Sequence, residues 1–218
     1  MAQRSHPLPP RLSAPDLPPH LEEGPQPTRG GDFFQVQWAS LAVETDAAHA
    51  VLTECALSGA SVERLDLTGA TLVDVEVRDL RASTLSARSA RLRRVRITGG
   101  RIGTLDLADA EIDEVELRGV RIDYASLAAA RIADLLIADC TIGTLDLPQA
   151  TVARMAFADS RADDVDTRGV RAKDLDLRGL EAVSYLDAGS LRGATLSARQ
   201  VDYLAPALAS ALGIRVID

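Results

Sequence analysis

The chain has 218 residues and a formal net charge of -8 at pH 7; 46% of its residues are hydrophobic and only 3% are aromatic. This length predicts one domain, and the negative charge argues against direct nucleic-acid binding. Because no stretch approaches eighteen apolar residues and the N-terminus carries no apolar run, the sequence predicts neither a membrane span nor a signal peptide, and it favours a cytoplasmic location without a membrane partner.

Residues 1–31 are the most proline-rich part of the chain. They contain eight of the ten prolines and end in Gly30 and Gly31. A segment of this composition buries too little apolar surface to offset the entropy lost on ordering, so we predict a disordered tail over 1–31. The alternative is a short docking motif with polyproline geometry, for which Leu17-Pro18-Pro19 is a candidate.

The chain from 32 to 197 repeats with a period of five. An apolar or small residue recurs at nearly every fifth position from Leu52 to Leu177, and an apolar residue often stands two positions earlier. A period of five fits neither an α-helix nor a simple β-strand. The pattern indicates three extended residues followed by a two-residue corner. Irregular steps of four residues precede Leu52 and follow Ala182.

A slower modulation shows that residues twenty positions apart belong together. One series of small residues is Ala70, Ala90, Ala110, Ala130 and Ala150, and one series of turn-favouring residues is Gly59, Asp79, Gly99, Gly119, Asp139, Asp159 and Gly179. Gly and Asp are favoured in tight corners. Four sides of five residues therefore make one coil, and successive coils stack as neighbouring strands about 4.8 Å apart.

The repeat resembles the pentapeptide-repeat protein family, whose pattern is Ala, then Asp or Asn, then Leu or Phe, then two free positions. The closest segments are Ala110-Glu111-Ile112, Ala70-Thr71-Leu72 and Ala194-Thr195-Leu196. The resemblance covers 32–197 and implies an all-β solenoid, a right-handed four-sided β-helix of about eight coils. It also implies a possible function, since some members imitate duplex DNA, bind DNA gyrase or other type II topoisomerases, and confer fluoroquinolone resistance.

Stacked coils leave unpaired strand edges at both ends, and solenoids cover these ends with caps. Phe33, Phe34 and Trp38 are three of the seven aromatic residues and suit the N-terminal end. At the other end, residues 198–218 predict a helical cap followed by a short strand over 214–217.

The C-terminal helix has clear sequence boundaries. Ser197 is the predicted N-cap and Gly213 the predicted stop, while Pro206 is expected to divide the helix into two short pieces. Leu204, Leu208 and Leu212 lie on one helical face. This face either covers the coil end or forms a homodimer contact, and we favour the cap because the end must be covered in any oligomeric state.

The sequence predicts that the protein is not an enzyme and has no catalytic, metal or cofactor site. His6 and His20 lie in the tail and His49 stands alone, so no histidine has a partner at ligand or triad spacing. Cys55 and Cys140 occupy inward positions 85 residues apart. That separation is too long for a disulfide, so we interpret both as small buried apolar residues.

One row of basic residues is a candidate binding surface for a partner. Arg81, Arg101 and Arg121 stack on one side of the predicted solenoid, and Arg161 follows two coils further. Adjacent like charges at this spacing repel by about 1 kcal/mol even in water, so this arginine row favours an anionic ligand. The alternative is that the side chains extend into solvent or reach corner carboxylates. Other arginines have an acid one coil away, namely Arg94 with Asp74, Arg96 with Glu116, Arg91 with Glu111 and Arg93 with Asp113.

A candidate acidic face runs along another side. It consists of Asp66, Asp106, Asp146 and Asp166, interrupted by Ser86 and Ser126. A duplex 40 Å long carries about 24 negative charges, whereas the chain after residue 32 has 28 acidic and 21 basic residues, a net charge of -7. The sequence therefore favours a non-catalytic rod that binds a protein partner of unknown identity, with the gyrase-binding DNA mimic as the alternative.

Overall fold

Each coil of the chain supplies one strand to each of two parallel sheets. We describe residues 6–217 of a computed structural model, which form a parallel β-solenoid of about eight coils followed by one C-terminal helix. The strands of the first sheet are Glu22–Glu23, Asp32–Phe34, Val36–Trp38, Val51–Ser58, Thr71–Arg78, Arg91–Thr98, Glu111–Arg118, Arg131–Ala138, Thr151–Ala158, Arg171–Asp176 and Ala194–Thr195. Those of the second sheet are Glu44–Asp46, Ser61–Asp66, Arg81–Ser86, Arg101–Asp106, Arg121–Ser126, Thr141–Asp146, Ser160–Asp166 and Leu180–Tyr185.

The strand register confirms the twenty-residue coil. Ile112 pairs with Leu92 on one side and with Ile132 on the other. At both ends the offset is nineteen: Phe33 pairs with Leu52, and Leu175 with Ala194. These are the places where the sequence takes a four-residue step. The solenoid fold and its coil number are thus confirmed, while the right-handed sense and the four-sided cross-section stay predictions.

The core is a continuous column of inward side chains. Leu135, Leu145 and Ile122 are at most 1% exposed, and nearly every fifth residue of the series is buried. Cys55 and Cys140 are both buried and unpaired, as predicted. The column is narrow and filled by aliphatic residues, because apolar side chains from all sides of a coil meet along one axis.

Corners are made by residues in the left-handed region of backbone space. The predicted corner series has positive φ from Gly59 (72°) through Asp159 (46°), with Asp79 at 52° between them. A second such bend lies inside the eight-residue strands, where Asp74 has φ 55° and Arg94 has φ 50°. The same bend occurs at Glu54 and Glu114, so four of the six eight-residue strands turn within their length and continue on both sides of the bend.

The N-terminal end is closed by two of the three aromatic residues that we predicted for it. Phe33 and Trp38 are buried, and their rings meet edge to face with centroids 5.5 Å apart. Trp38 Nε1 donates to the carbonyl oxygen of Pro25 at 2.7 Å. Phe34 is 58% exposed, so its predicted place in the cap is wrong; side chains alternate along a strand, and its neighbour Phe33 takes the inward position.

The described part of the proline-rich segment lies against the solenoid, which differs from the disorder that its composition predicts. Its strand Glu22–Glu23 pairs with Val36–Gln37. Residues 6–19 are called the N-terminal strap. Their backbone amides donate hydrogen bonds to carboxylates on separate coils, beginning with Asp174 and ending with Asp74. The composition of residues 1–31 predicts disorder because it carries no information about carboxylates in distant parts of the chain.

A single helix, Ala198–Ala211, covers the C-terminal end. Ser197 is its N-cap, with a complete capping box to Gln200, and Gly213 has φ 73° after the last turn, both as predicted. The expected break at Pro206 is wrong. Pro206 lies on the exposed face, where water can bond the carbonyl oxygen that the missing N–H leaves free. Residues 214–217 form no strand, so the predicted final strand is also wrong.

Candidate functional site

The structure places the four residues of the arginine row along one edge of the second sheet. Arg81 pairs with Arg101, and Arg101 with Arg121, at the first position of successive strands. Thr141 takes the next position and Arg161 the one after it. All four arginines are exposed. Arg81, Arg101 and Arg121 therefore stand one coil apart, and Arg161 stands two coils beyond Arg121.

Two members of the arginine row are partly neutralised. Arg101 Nη2 lies 3.0 Å from Asp123 Oδ2, and Arg121 Nε lies 3.8 Å from Asp123 Oδ1. The hydrogen bond from Arg101 lowers the pKa of Asp123, so this carboxylate stays charged. Arg81 and Arg161 form no ion pair with any residue between 6 and 217. Thus the alternative of sideways contacts describes only the middle of the row.

The C-terminal half of the row opens into a groove of about 710 Å³. One wall is the second sheet, with Arg121 and Arg161, and the other is the C-terminal helix, with Arg199 and Tyr203. Tyr203 Oη donates to the carbonyl oxygen of Val183 at 2.8 Å and joins the two walls. The groove thus combines cationic side chains from both walls with the apolar surface of Tyr203 and Leu204.

Charge in this arginine groove is predominantly positive. Its lining includes Arg121, Arg161, Arg178 and Arg199 against Asp163 and Glu181. Arg178 is held by Asp176 at 2.6 Å, and Arg199 is 4.0 Å from Glu181. Arg161 is therefore the lining arginine that forms no ion pair within residues 6–217, although Glu181 is its neighbour on the next coil.

A half-buried tyrosine, Tyr185, lines the groove with its hydroxyl group buried. The hydroxyl of Tyr185 has no hydrogen-bond partner in the described part of the chain. Burial raises the pKa of Tyr185 to about 12, so the phenol is neutral at physiological pH. It contributes apolar surface to the end of the core and an unused donor beside the groove.

The sequence alone does not predict the helical side of this groove. Arg199 and Tyr203 are four residues apart and therefore lie on one face of the helix. This spacing can be seen in the sequence, but the sequence does not show which face of the helix packs against the last coil. Irregular steps after Ala182 obscure where the chain re-enters the end of the solenoid.

Three carboxylates of the acidic row stabilise the turn that follows each of them. Asp66, Asp106 and Asp166 each accept the amide of the residue two positions later, at 2.9 to 3.0 Å, which closes the following turn. The same three carboxylates form ion pairs with Arg64, Arg88 and Arg168, respectively. Hydrogen bonds from Arg168 lower the pKa of Asp166. These three carboxylates therefore already have partners within the solenoid.

Asp146 is the exception within the acidic row. Pro148 stands two positions later and has no amide hydrogen to donate. Instead, Tyr124 Oη donates to Asp146 Oδ2 at 2.5 Å, and this bond raises the pKa of Tyr124. A tyrosine thus replaces the turn amide at this coil.

Vertical ion pairs outside the arginine row follow the predicted spacing. Arg94 makes two hydrogen bonds to Asp74, and Arg96 Nε lies 2.8 Å from Glu116 Oε2. Arg91 is 3.4 Å from Glu111. No ion pair involving Arg93 occurs within residues 6–217, so its predicted pairing with Asp113 is not formed.

The three leucines of the helix do different things. Leu204 is buried and Leu208 is half-buried against the core, whereas Leu212 is 77% exposed. Gln200 Nε2 also donates to the carbonyl oxygens of Leu177 and Leu180 at 2.7 and 2.8 Å. The first half of the helix thereby covers the last coil, and a homodimer contact could use only Leu212 and the residues near it.

Replacing Leu204 by alanine is expected to release the helix from the solenoid, because loss of a buried leucine costs about 2–3 kcal/mol. Hydrogen exchange of the helix amides should become faster while the amides of the central coils keep their protection. Leu212→Ala is the matched control, and its exchange should equal that of the native chain. Equal exchange in both variants would contradict the role of Leu204.

No group of three or more His, Cys, Asp or Glu side chains within residues 6–217 is placed to hold a metal ion. In the same range, no helix combines the length and apolar character that a bilayer crossing requires.

Comparison with known proteins adds little. No protein-family model matches the chain. No curated protein matches it. Among solved structures, that of QnrB1, described as a plasmid-mediated fluoroquinolone resistance protein, is similar at 14% sequence identity over 86% of this chain and 98% of that chain, with a TM-score of 0.23. A similarity at this level supports no inference about function.

Proposed function

We propose that this protein is a non-catalytic solenoid rod that binds another protein, and that the arginine row and the arginine groove contact an acidic segment of that partner. The observation that carries the proposal is Arg161, which is exposed, without an ion pair among residues 6–217, and placed where the row enters the groove. A filled solenoid core leaves the surface as the place where a ligand binds.

The chemistry of the groove favours carboxylates on the partner. Guanidinium groups bind carboxylates through paired hydrogen bonds. The row supplies such groups at a spacing of about 4.8 Å per coil. An acidic segment laid along Arg121 and Arg161 would relieve the repulsion within the row. Tyr203 and Leu204 on the helical wall would add apolar contact.

Replacing Arg81, Arg101, Arg121 and Arg161 together by serine should weaken partner binding at least tenfold without unfolding the rod. Each site is exposed, so stability should change by only about 0.5 kcal/mol per residue. Binding would be measured by calorimetry with the purified partner, after its capture from native cytosol by the full chain. Urea unfolding followed by circular dichroism would report stability.

A matched control removes four other exposed arginines that have no ion pair in the described range: Arg93, Arg171, Arg192 and Arg215. This variant has the same net charge as the row variant. If both variants bind equally well, the row is not the contact. If the row variant unfolds, the row serves stability.

The alternative function, imitation of duplex DNA toward gyrase, has weaker support. Its candidate surface is the acidic row, and three of its four carboxylates are bound by arginines and turn amides. A supercoiling assay with and without a quinolone decides this point. Inhibition or protection at micromolar protein would favour the mimic over the acidic-segment binder.

The pentapeptide-repeat type and a homodimer through the helix also belong to this proposal. The five-residue spacing and the twenty-residue register support the first. Exposure of Leu212, Ile214 and Val216 supports the second.

A further inference from the structure

The N-terminal strap follows one edge of the solenoid through four backbone amides. Each amide donates to a carboxylate, and the acceptors come from coils that are far apart in sequence. The bonds are Leu8 N to Asp174 Oδ1 (3.0 Å), Arg11 N to Asp134 Oδ1 (2.7 Å), Ser13 N to Glu114 Oε2 (3.0 Å) and Asp16 N to Asp74 Oδ1 (3.0 Å). The strap therefore crosses five coils in eight residues.

Its step length matches polyproline geometry. The four donors are separated by three, two and three residues, while their acceptors are separated by two, one and two coils. Three residues of polyproline helix rise about 9.3 Å and form one turn. Two coils rise about 9.6 Å. The two three-residue steps therefore each match one polyproline turn over two coils, and the two-residue step between them spans one coil.

The sequence of the strap fits this register. No proline stands at the four donor positions, although prolines fill 7, 9, 10, 15, 18 and 19. The residue before each donor is half-buried, and these residues are Pro7, Pro10, Leu12 and Pro15. Each step therefore places one apolar residue on the solenoid and directs the next amide at a carboxylate.

The acceptors are positioned by the solenoid itself. Asp74 is held by two hydrogen bonds from Arg94, and Asp134 by two from Arg154, at 2.5 to 2.6 Å. The hydrogen bond from Arg94 outweighs burial and lowers the pKa of Asp74, with a further contribution from the Asp16 amide. This carboxylate column, at positions 74, 114, 134 and 174, would keep its geometry without the strap.

We propose that the carboxylate column is a binding site for proline-rich segments, that the strap is its resident occupant, and that a proline-rich segment of another protein with free amides at the same steps binds there in its place. No residue between 6 and 19 is fully buried, so the strap can leave without opening the core. This surface is separate from the arginine groove and does not depend on the function proposed above.

The strap is covalently attached to the solenoid, and this attachment determines how strongly an external segment must bind to displace it. A short tether holds its segment at an effective concentration of about millimolar. An external segment must therefore compete with the strap, and it binds well only when the strap is weakened. Proline at the donor positions weakens it selectively, because proline keeps the extended geometry and lacks the N–H.

The test is the full chain carrying Leu8→Pro, Arg11→Pro, Ser13→Pro and Asp16→Pro together. A fluorescent peptide with the sequence of residues 6–19 should bind this variant at least tenfold more tightly than it binds the native chain, as measured by anisotropy. Ala14→Pro is the control. Ala14 is exposed and its amide makes no hydrogen bond among residues 6–217, so this variant should behave as the native chain.

Absence of peptide binding by a quadruple variant with native circular dichroism would overturn the proposal. If that variant does not fold, hydrogen exchange on the native chain decides. Excess peptide should then accelerate exchange at the amides of Leu8, Arg11, Ser13 and Asp16, and unchanged exchange overturns the proposal. A cross-link between the strap of one copy and the carboxylate column of another copy would make a second copy the occupant, which also overturns it.

Discussion

Replacing Gly100 by alanine is expected to destabilise the solenoid by about 4 kcal/mol, the sum of left-handed backbone strain and overpacking at about 1–3 kcal/mol each. Gly100 has φ 85°. A Cβ at this position would overlap the carbonyl oxygen of Leu80 and lie 2.7 Å from the Leu80 nitrogen. Backbone atoms cannot move aside as a flexible side chain can.

The overlap would disturb hydrogen bonds to both neighbouring coils. Arg101 N donates to Leu80 O at 2.9 Å, and Arg121 N donates to Gly100 O at 3.2 Å. Any shift that relieves the new Cβ displaces residue 100 relative to both neighbouring coils. Because each coil contacts only its neighbours, the damage should begin at this point in the rod.

Gly59→Ala is the matched control for Gly100→Ala. Gly59 has φ 72°, but a Cβ there would meet nothing within 4 Å. Its cost should be the strain alone, about 1–2 kcal/mol. The same corner accepts Asp79 with φ 52° one coil later. Urea unfolding followed by circular dichroism measures both variants, and equal midpoints would contradict the overlap at Gly100.

The coil register could be predicted because the sequence encodes it many times. A residue at each fifth position must be buried, and the corner series around Asp79 and Gly99 repeats every twenty residues. Even the nineteen-residue offsets at Leu52 and Ala194 follow from local four-residue steps. A signal repeated in every coil tolerates single exceptions such as Thr167.

The strap and the groove could not be predicted in this way. The strap amides find partners 58 to 166 residues away, and no local pattern in a proline-rich segment specifies them. Similarly, Leu204 and Arg199 reach the last coil through one packing direction of the helix. That direction depends on residues 186–196, where the irregular step after Ala182 is followed by a 3₁₀ helix, Ala188–Leu191.

Removing the carboxylate of Asp134 by alanine should cost about 3 kcal/mol, the lower end of the range for breaking a buried ion pair, because Arg154 keeps some contact with solvent. The Asp134 side chain is 4% exposed and that of Arg154 is 21% exposed. The substitution also removes the acceptor of the Arg11 amide. Asp123→Ala is the control, since its exposed pair with Arg101 should contribute little.

The pH dependence of this loss has a defined sign. Burial raises the pKa of Asp134, but hydrogen bonds from Arg154 and from the Arg11 amide outweigh it, so the folded pKa lies below the ordinary 3.8. The stabilisation is therefore complete above pH 3.8 and disappears as pH falls through the folded pKa. Urea midpoints of native chain and Asp134→Ala should differ at pH 7 and converge in acid. A difference that persists at the lowest pH would show that packing of the side chain, and not its charge, stabilises this edge.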